Sequence, residues 1–115
     1  MSRDTVNRIC AALPGAERSA PFGPGTDVWK VGGKIFACMG SDDTGVSTKT
    51  RDIETARMLI EAGSATRAPY FHRSWVHVPL DAAPDALRHR IHASYDIVRA
   101  SLTKTAQAVL PPRPD

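Results

Sequence analysis

The sequence predicts an α+β domain with two layers, in which an antiparallel sheet packs against helices. Two observations support this fold class: residues 27–37 have the pattern of a β-hairpin, and the helical patterns stand before and after groups of strands instead of alternating with single strands. Strands joined by a tight hairpin run antiparallel, and helices segregated from strands are typical of α+β domains. The expected order of elements is α-β(3)-α-β(2)-α.

The hairpin is the clearest element of the sequence. The β-rich runs 28–31 and 34–39 are separated by Gly32-Gly33, a two-residue connection that permits the positive φ angles of a primed turn. Residues 46–50 have the composition of a further strand. These three runs are the first group of strands.

Three helices are expected from apolar residues that recur at helical spacing. The first begins near Ser2 or Asp4 and ends before Pro14, because proline cannot continue a helix. The second begins after the capping residue Asp52. The last runs from about residue 84 to 102 and carries a buried apolar stripe.

A second group of two strands is expected before the last helix, with residues 74–78 as its main strand. The sequence also allows a short edge strand near residues 16–19. The length indicates one domain, taken as residues 1–104. The proline-containing segment 105–115 is expected to be a disordered C-terminal tail.

The composition is that of a globular protein from a reducing compartment. The chain has 115 residues, of which 42% are hydrophobic, and a net charge of +3, which is compatible with nucleic acid but shared by many proteins without such a partner. Cys10 and Cys38 stand in apolar contexts, so free thiols are favoured over one disulfide. The sequence has no signal-peptide pattern and no apolar run of membrane length, and the cytoplasm is the expected location.

Catalytic and metal-binding patterns are weak. No serine or cysteine stands in a nucleophile motif such as Gly-x-Ser-x-Gly, so the protein is expected to be non-catalytic and to need no cofactor. Asp85, His89, His92 and Asp96 share one face of the last helix at spacings that zinc ligands could use. This face lies opposite the apolar stripe, so a solvated polar face is favoured and no metal is expected.

Basic side chains carry much of the binding chemistry. Five of them stand on the strands or beside them: Lys30, Lys34, Lys49, Arg51 and Arg73. Lysine and arginine neutralise phosphates, so these residues are the candidate contacts for nucleic acid. The alternative for each is an ordinary solvated side chain.

Aromatic residues allow a second interpretation, a small-molecule binding or sequestering protein. The candidate pocket residues lie in two loops and in the strand that follows the second loop: Phe22, Tyr70, Phe71, Trp75 and His77. Aromatic side chains around a cleft can enclose a small ligand, but the same side chains could belong to the core. A third interpretation is a protein-interaction module that uses an exposed sheet face.

Three blocks of sequence carry a family resemblance. They are Leu-Pro-Gly-Ala-Glu at 13–17, Pro-Phe-Gly-Pro at 21–24 and Trp-Lys-Val-Gly-Gly-Lys-Ile-Phe-Ala at 29–37, and Ser-Tyr-Asp at 94–96 agrees with them. With these blocks the chain resembles the MmcQ/YjbR family over residues 3–103.

The resemblance implies a frataxin-like or secretion-chaperone-like two-layer fold. It also implies DNA binding through a double-wing arrangement of hairpins, with Lys30, Lys34, Lys49 and Arg73 as phosphate contacts. The run at 69–75 departs from the family pattern, because it is shorter than in many members and keeps one arginine.

Overall fold

The computed structural model describes residues 1–113, and within them six strands form one sheet that packs against helices. In chain order the elements are α1 Arg3–Ala11, β1 Glu17–Ser19, β2 Asp27–Val31, β3 Lys34–Met39, β4 Gly45–Lys49, α2 Ile53–Glu61, β5 Thr66–Arg67, β6 Trp75–Pro79, α3 Pro84–Ala100 and α4 Lys104–Ala108. The strand order is β1-β2-β3-β4-β6-β5, and all neighbours are antiparallel. The α+β prediction is confirmed, and the edge strand that the sequence left open is β1.

Short-range signals explain several element boundaries. Ser2 and Asp52 cap α1 and α2, because each side chain accepts a hydrogen bond from the backbone N–H three residues further on, at 3.2 and 2.7 Å. Gly32 and Gly33 have φ angles of 57° and 81°. Two consecutive positive φ angles are those of the primed turn that the Gly-Gly pair predicts.

The strand register divides the sheet into a covered face and an open face. Directly paired residues point to the same side of a sheet, and the side that carries Val46 and Val76 is buried beneath α3, with α1 and α2 also contributing to the core. The opposite side carries the paired residues Cys38, Ser47 and His77. Within residues 1–113 this open face is bordered by loops.

The centre of the covered face is an aromatic pair. Phe36 and Tyr95 are both fully buried, and their rings meet edge to face with centroids 5.3 Å apart at 87°, an arrangement that aromatic quadrupoles favour. The hydroxyl of Tyr95 donates to the carbonyl of Pro14 at 2.5 Å. The pair therefore fixes α3 against the sheet and against the loop after α1.

A β-bulge in β3 is bridged by a buried serine. Lys30 pairs with Ile35 while Trp29 pairs with Ala37, so Phe36 is the extra residue. The hydroxyl of Ser94 in α3 donates to the carbonyl of Phe36 at 2.6 Å and accepts from the N–H of Lys49 at 2.8 Å. One side chain thus satisfies two backbone groups that the bulge separates.

The C-terminal segment differs from the expected disordered tail. Thr103 caps α4, and Leu110 packs against the hydrophobic core. The guanidinium of Arg99 donates to the carbonyls of Leu110 and Pro111 at 3.0 and 2.7 Å. These contacts order the segment to residue 113 because one apolar side chain and two carbonyls find partners on α3; residues 114–115 of the expected tail lie outside the described residues.

Candidate functional site

Two hairpin loops lie at one end of the sheet. The pairing of Lys49 with Trp75 places the end of β4 beside the start of β6, and the pairing of β3 with β4 places the end of β4 beside the start of β3. The turn 32–33 and the loop 68–74, which joins β5 to β6, therefore share this end. We call it the hairpin end.

The three lysines predicted to bind phosphate lie at the hairpin end but on two faces. Lys30 pairs with Ile35, and Lys49 lies two residues from Ser47 on β4, which places both lysines on the open face. Lys34 lies beyond the turn on the covered side, where its ammonium is 3.4 Å from the hydroxyl of Ser101 after α3. The lysines therefore lie on both faces of this end of the sheet and do not form one flat patch.

Arg51 and Arg73 extend this basic group into the connections that follow β4 and precede β6. Both side chains are exposed. The N–H of Thr50 donates to the carbonyl of Ser74 at 2.8 Å, so the two connections are adjacent. The ammonium of Lys49 lies 3.1 Å from the hydroxyl of Ser74, which belongs to the second of these connections.

A cleft of about 880 Å³ lies over the open face. Its floor includes a row of directly paired residues across four strands: Cys38, Ser47, His77 and Thr66. Residues from the loops 20–26 and 40–44 line one rim, and residues from 67–71 line the other. Most of the lining is apolar, with a few polar groups, as in pockets for small organic ligands.

A chain of hydrogen bonds crosses the cleft floor. Nδ1 of His77 lies 3.2 Å from the hydroxyl of Ser47, and Nε2 lies 3.0 Å from that of Thr44. The hydroxyl of Thr44 donates its one hydrogen to the carboxylate of Asp42 at 3.1 Å, so it must accept from Nε2–H of His77. In the neutral ring, Nδ1 is then the acceptor for Ser47.

The position of His77 depends on burial and on a neighbouring glycine. Burial lowers the pKa of His77, and the carboxylate of Asp42 opposes this shift only in part. A Cβ at Gly45 would collide with the carbonyl of Val78 and lie 2.8 Å from Nε2 of His77. Glycine at this position therefore leaves room for the imidazole in the floor.

The aromatic residues predicted to line a pocket come together at the cleft. Phe22, on one rim, and Tyr70, on the other, are exposed. Phe71 stacks on Trp75 with centroids 4.4 Å apart at 23°, and the ammonium of Lys49 lies 6.0 Å from the Trp75 ring centre. Trp75 is buried behind Phe71 and supports the rim from below.

Arg3 holds the two loops of one rim. From α1 its guanidinium donates to the carbonyl of Gly40 at 2.7 Å, to the carboxylate of Asp43 at 2.6 Å and to the carbonyl of Gly25. It also forms an ion pair with Asp27 at 2.8 Å. A single side chain thereby fixes the spacing of the loops 20–26 and 40–44.

Asp27 is the buried centre of this ion network. Arg18 and Asn7 bind its carboxylate at 2.6 and 3.1 Å, and the indole N–H of Trp29 donates to Asn7 at 2.9 Å. Burial would raise the pKa of Asp27, but the hydrogen bonds from Asn7, Arg3 and Arg18 outweigh burial and lower it. Arg3, Arg18 and Asp27 are thus paired with one another.

Both cysteines are free thiols. Burial raises the pKa of Cys10, in the core, to about 12. Burial also raises the pKa of Cys38, which is half-buried in the cleft floor. Neither cysteine has the lowered pKa of a reactive thiolate.

Across residues 1–113, no group of three or more His, Cys, Asp or Glu side chains has a geometry that could hold a metal ion. On the helix face considered for zinc, Asp96 instead forms an ion pair with Arg113 at 2.8 Å, and Nδ1 of His92 lies 3.3 Å from the same guanidinium. No helix in this part of the chain has the length and apolarity needed to cross a membrane.

Comparisons with known proteins agree on one family. The YjbR family model matches residues 11–97. The chain belongs to the YjbR family. The uncharacterized protein YbdF of Escherichia coli O157:H7 is 32% identical over 110 residues, which cover 90% of this chain and 89% of YbdF. The crystal structure of Deinococcus radiodurans protein DR2400, with a DUF419 domain, superposes with a TM-score of 0.83 at 26% identity and covers 93% of this chain and 86% of that chain.

In this YjbR-family chain the cleft also includes residues that the sequence patterns did not single out. These are Thr44, Ser47 and Thr66, which supply polar atoms. A signal for Ser47 was present, because it alternates with Val46 and Thr48 and so shares a face with Lys49. The contribution of Thr44 depends on the turn conformation and could not be read from alternation.

Proposed function

We propose that this YjbR-family protein is a cytoplasmic, non-catalytic DNA-binding protein that contacts phosphates through the hairpin end. The observation behind the proposal is that the β2–β3 and β5–β6 hairpins direct their loops to the same end of the sheet, which is compatible with a double-wing arrangement. The five basic residues at this end span four adjacent strands, or about 14 Å at the usual strand spacing.

Phosphate contacts of this kind position a protein on DNA without reading its sequence. Two carboxylates lie close to the cations: Glu17 is paired across the strands with Lys30, and Asp52 lies 3.7 Å from Arg51. They reduce the charge available for phosphates. We therefore expect three to four phosphates to be neutralised, and a slope of log K against log salt concentration of about −3.

The salt dependence of duplex binding tests the proposal. Fluorescence anisotropy of a labelled 20-base-pair duplex, titrated at several salt concentrations, would measure the slope. Replacing Lys30 or Arg73 by Gln should weaken binding to all sequences alike and make the slope shallower by about 1. Duplex affinity that is flat with salt, or absent at micromolar protein, would overturn the proposal.

Arg88→Gln is the matched control. Arg88 is exposed on the first half of α3, and α3 ends at the hairpin end because Ser101 contacts Lys34. Arg88 therefore lies towards the other end of the molecule. Its loss changes the net charge as Arg73→Gln does, so equal effects of the two substitutions would show that only overall charge matters.

The cleft favours a second candidate function, the binding of a small apolar or aromatic molecule. Its volume lies within the range of about 300–1,000 Å³ that is usual for ligand pockets. The fluorescent probe 1-anilinonaphthalene-8-sulfonate should bind there, and Thr66→Trp, which adds bulk at an exposed floor position, should abolish the signal. Probe fluorescence that is absent, or unchanged by Thr66→Trp, would count against this candidate.

A further inference from the structure

We propose that the cleft receives an unstacked nucleobase, so that the protein binds single-stranded nucleic acid in preference to duplex. This inference rests on the proposed nucleic-acid function and assigns a role to the open face, which phosphate contacts alone do not use. The cleft lies over the sheet between two loop rims. A base that is paired and stacked in a duplex cannot enter such a recess, whereas an unpaired base can turn into it.

The aromatic residues at the rims provide surfaces on which a base can stack. Phe22 and Tyr70 approach from opposite sides, and both are exposed. Tyr70 has a φ angle of 70°, a left-handed conformation that is uncommon for a bulky residue. An exposed ring at the rim of a cleft matches the stacking platforms of proteins that bind single strands.

Positive charge begins where the cleft ends. Lys49 lies two residues from Ser47 on the same face of β4, about 7 Å along the strand. Lys30 is paired across the strands with Ile35, which lines the cleft. A nucleotide whose base occupied the cleft could therefore place its phosphate beside these ammonium groups.

The charges also give the bound strand a direction across the open face. Asp42 lies on the rim away from the hairpin end, and its carboxylate accepts hydrogen bonds from the hydroxyl and N–H of Thr44. A phosphate would be repelled there, but the neutral edge of a base would not. The expected arrangement puts the base towards Asp42 and the backbone towards Lys49.

The polar groups of the cleft floor indicate that the protein distinguishes only weakly between different nucleotide sequences. Both ring nitrogens of His77 and the hydroxyl of Ser47 already have partners, which leaves few donors or acceptors for reading a base edge. Stacking tolerates every base because each has a π-face. We therefore expect discrimination between single strand and duplex to exceed discrimination between sequences.

The decisive measurement compares a labelled 12-nucleotide oligothymidine with a 12-base-pair duplex at one salt concentration. We expect the single strand to bind at least 10-fold more tightly. Tyr70→Ala should weaken single-strand binding about 10-fold and duplex binding much less, whereas Tyr70→Phe should bind like the native protein. Tyr70 is exposed, so neither substitution should disturb folding.

The thiol of Cys38 provides a second readout inside the cleft. The single strand should slow alkylation of Cys38 by N-ethylmaleimide, as mapped by mass spectrometry, and should fail to do so in the Tyr70→Ala variant. Cys10 is buried in the core and serves as the internal reference for unfolding. Equal Cys38 reactivity with and without the oligonucleotide would overturn the inference.

Other outcomes separate this inference from the proposed function. Equal affinity for duplex and single strand, with no effect of Tyr70→Ala, would overturn the inference and leave DNA binding in place. Binding of neither at micromolar protein would overturn both. Thymidine monophosphate that binds as tightly as the oligomer, in a manner that depends on Tyr70, would identify a free nucleotide as the occupant and contradict the single-strand proposal.

Discussion

Polar groups have different surroundings on the covered and the open face of the same sheet. On the covered face Phe36 and Val46 are fully buried, and the buried hydroxyl of Ser94 bridges two backbone groups. On the open face polar side chains such as Ser47 and His77 meet a cleft large enough for a ligand. The difference indicates that one face stabilises the fold while the other is available for contact.

The largest expected difference between the two faces is the effect on stability of removing one aromatic ring from each. Phe36→Ala should lower the free energy of unfolding by about 3–5 kcal/mol, because it leaves a cavity against Tyr95. Phe22→Ala, at an exposed rim position, should change it by less than about 0.5 kcal/mol. Urea unfolding followed by circular dichroism measures both, and similar losses would contradict a division of roles between the faces.

A pair of serine substitutions tests the same division for hydrogen bonds. Ser94→Ala should destabilise the protein by about 2–4 kcal/mol, because it leaves the N–H of Lys49 and the carbonyl of Phe36 unsatisfied in the core. Ser47→Ala removes a bond to half-buried His77 and should cost about 1 kcal/mol or less. Urea unfolding measures both losses, provided that the m-values of the variants agree. A larger loss for Ser47→Ala than for Ser94→Ala would contradict the bridging role of Ser94.

A substitution at Thr48 should strengthen the covered face. Among residues 1–113 its hydroxyl is the buried side-chain polar atom without a hydrogen-bond partner. Thr48→Val keeps the shape of the side chain and removes the unsatisfied group, so we expect a gain of about 1 kcal/mol. A loss of stability measured by thermal unfolding would show that the hydroxyl has a partner in solution, such as a bound water.

The smallest expected effect is the titration of His77 on the open face. Burial lowers its pKa in the folded protein, so the neutral ring contributes stability above the ordinary histidine pKa of about 6.5. That contribution is lost as pH falls through the folded pKa. The stability advantage of the native protein over His77→Gln should therefore shrink between pH 8 and pH 5, and an NMR titration should give a pKa below the usual value.

Local patterns predicted the elements that depend on neighbours in the chain. The Gly32-Gly33 turn, the cap at Asp52 and the long apolar stripe of α3 were predicted, because each arises within a few residues. For α1 the sequence offered Ser2 or Asp4 as the cap, and the structure has Ser2. A second strand was expected before the last helix, but β5 has two residues and α4 has five, so periodicity could neither place β5 nor indicate α4. The segment beyond residue 104 looked like a tail because composition does not reveal that Arg99 binds its carbonyls.

The candidate site was predictable only by residue type. The sequence indicated which basic and aromatic residues could bind, and the aromatic residues do surround one cleft, with Trp75 behind its wall. The Gly32-Gly33 turn pairs Lys30 with Ile35 and Val31 with Lys34, so the alternation of side chains along a strand already places Lys30 and Lys34 on opposite sides of the sheet. The sequence could not show that Thr44, Ser47 and His77 would meet across three segments of chain.

The fold class, the hairpin and the family could be predicted from the sequence, since hydrophobic periodicity, turn residues and family blocks are local properties. The identity of the open face, the position of the cleft and the shared end of the two hairpin loops became visible in the folded structure. These features depend on the order in which distant strands pair. α3 packs against β2, β3 and β4, and the hydroxyl of Ser94 links β3 to β4; these are contacts between residues far apart in the chain.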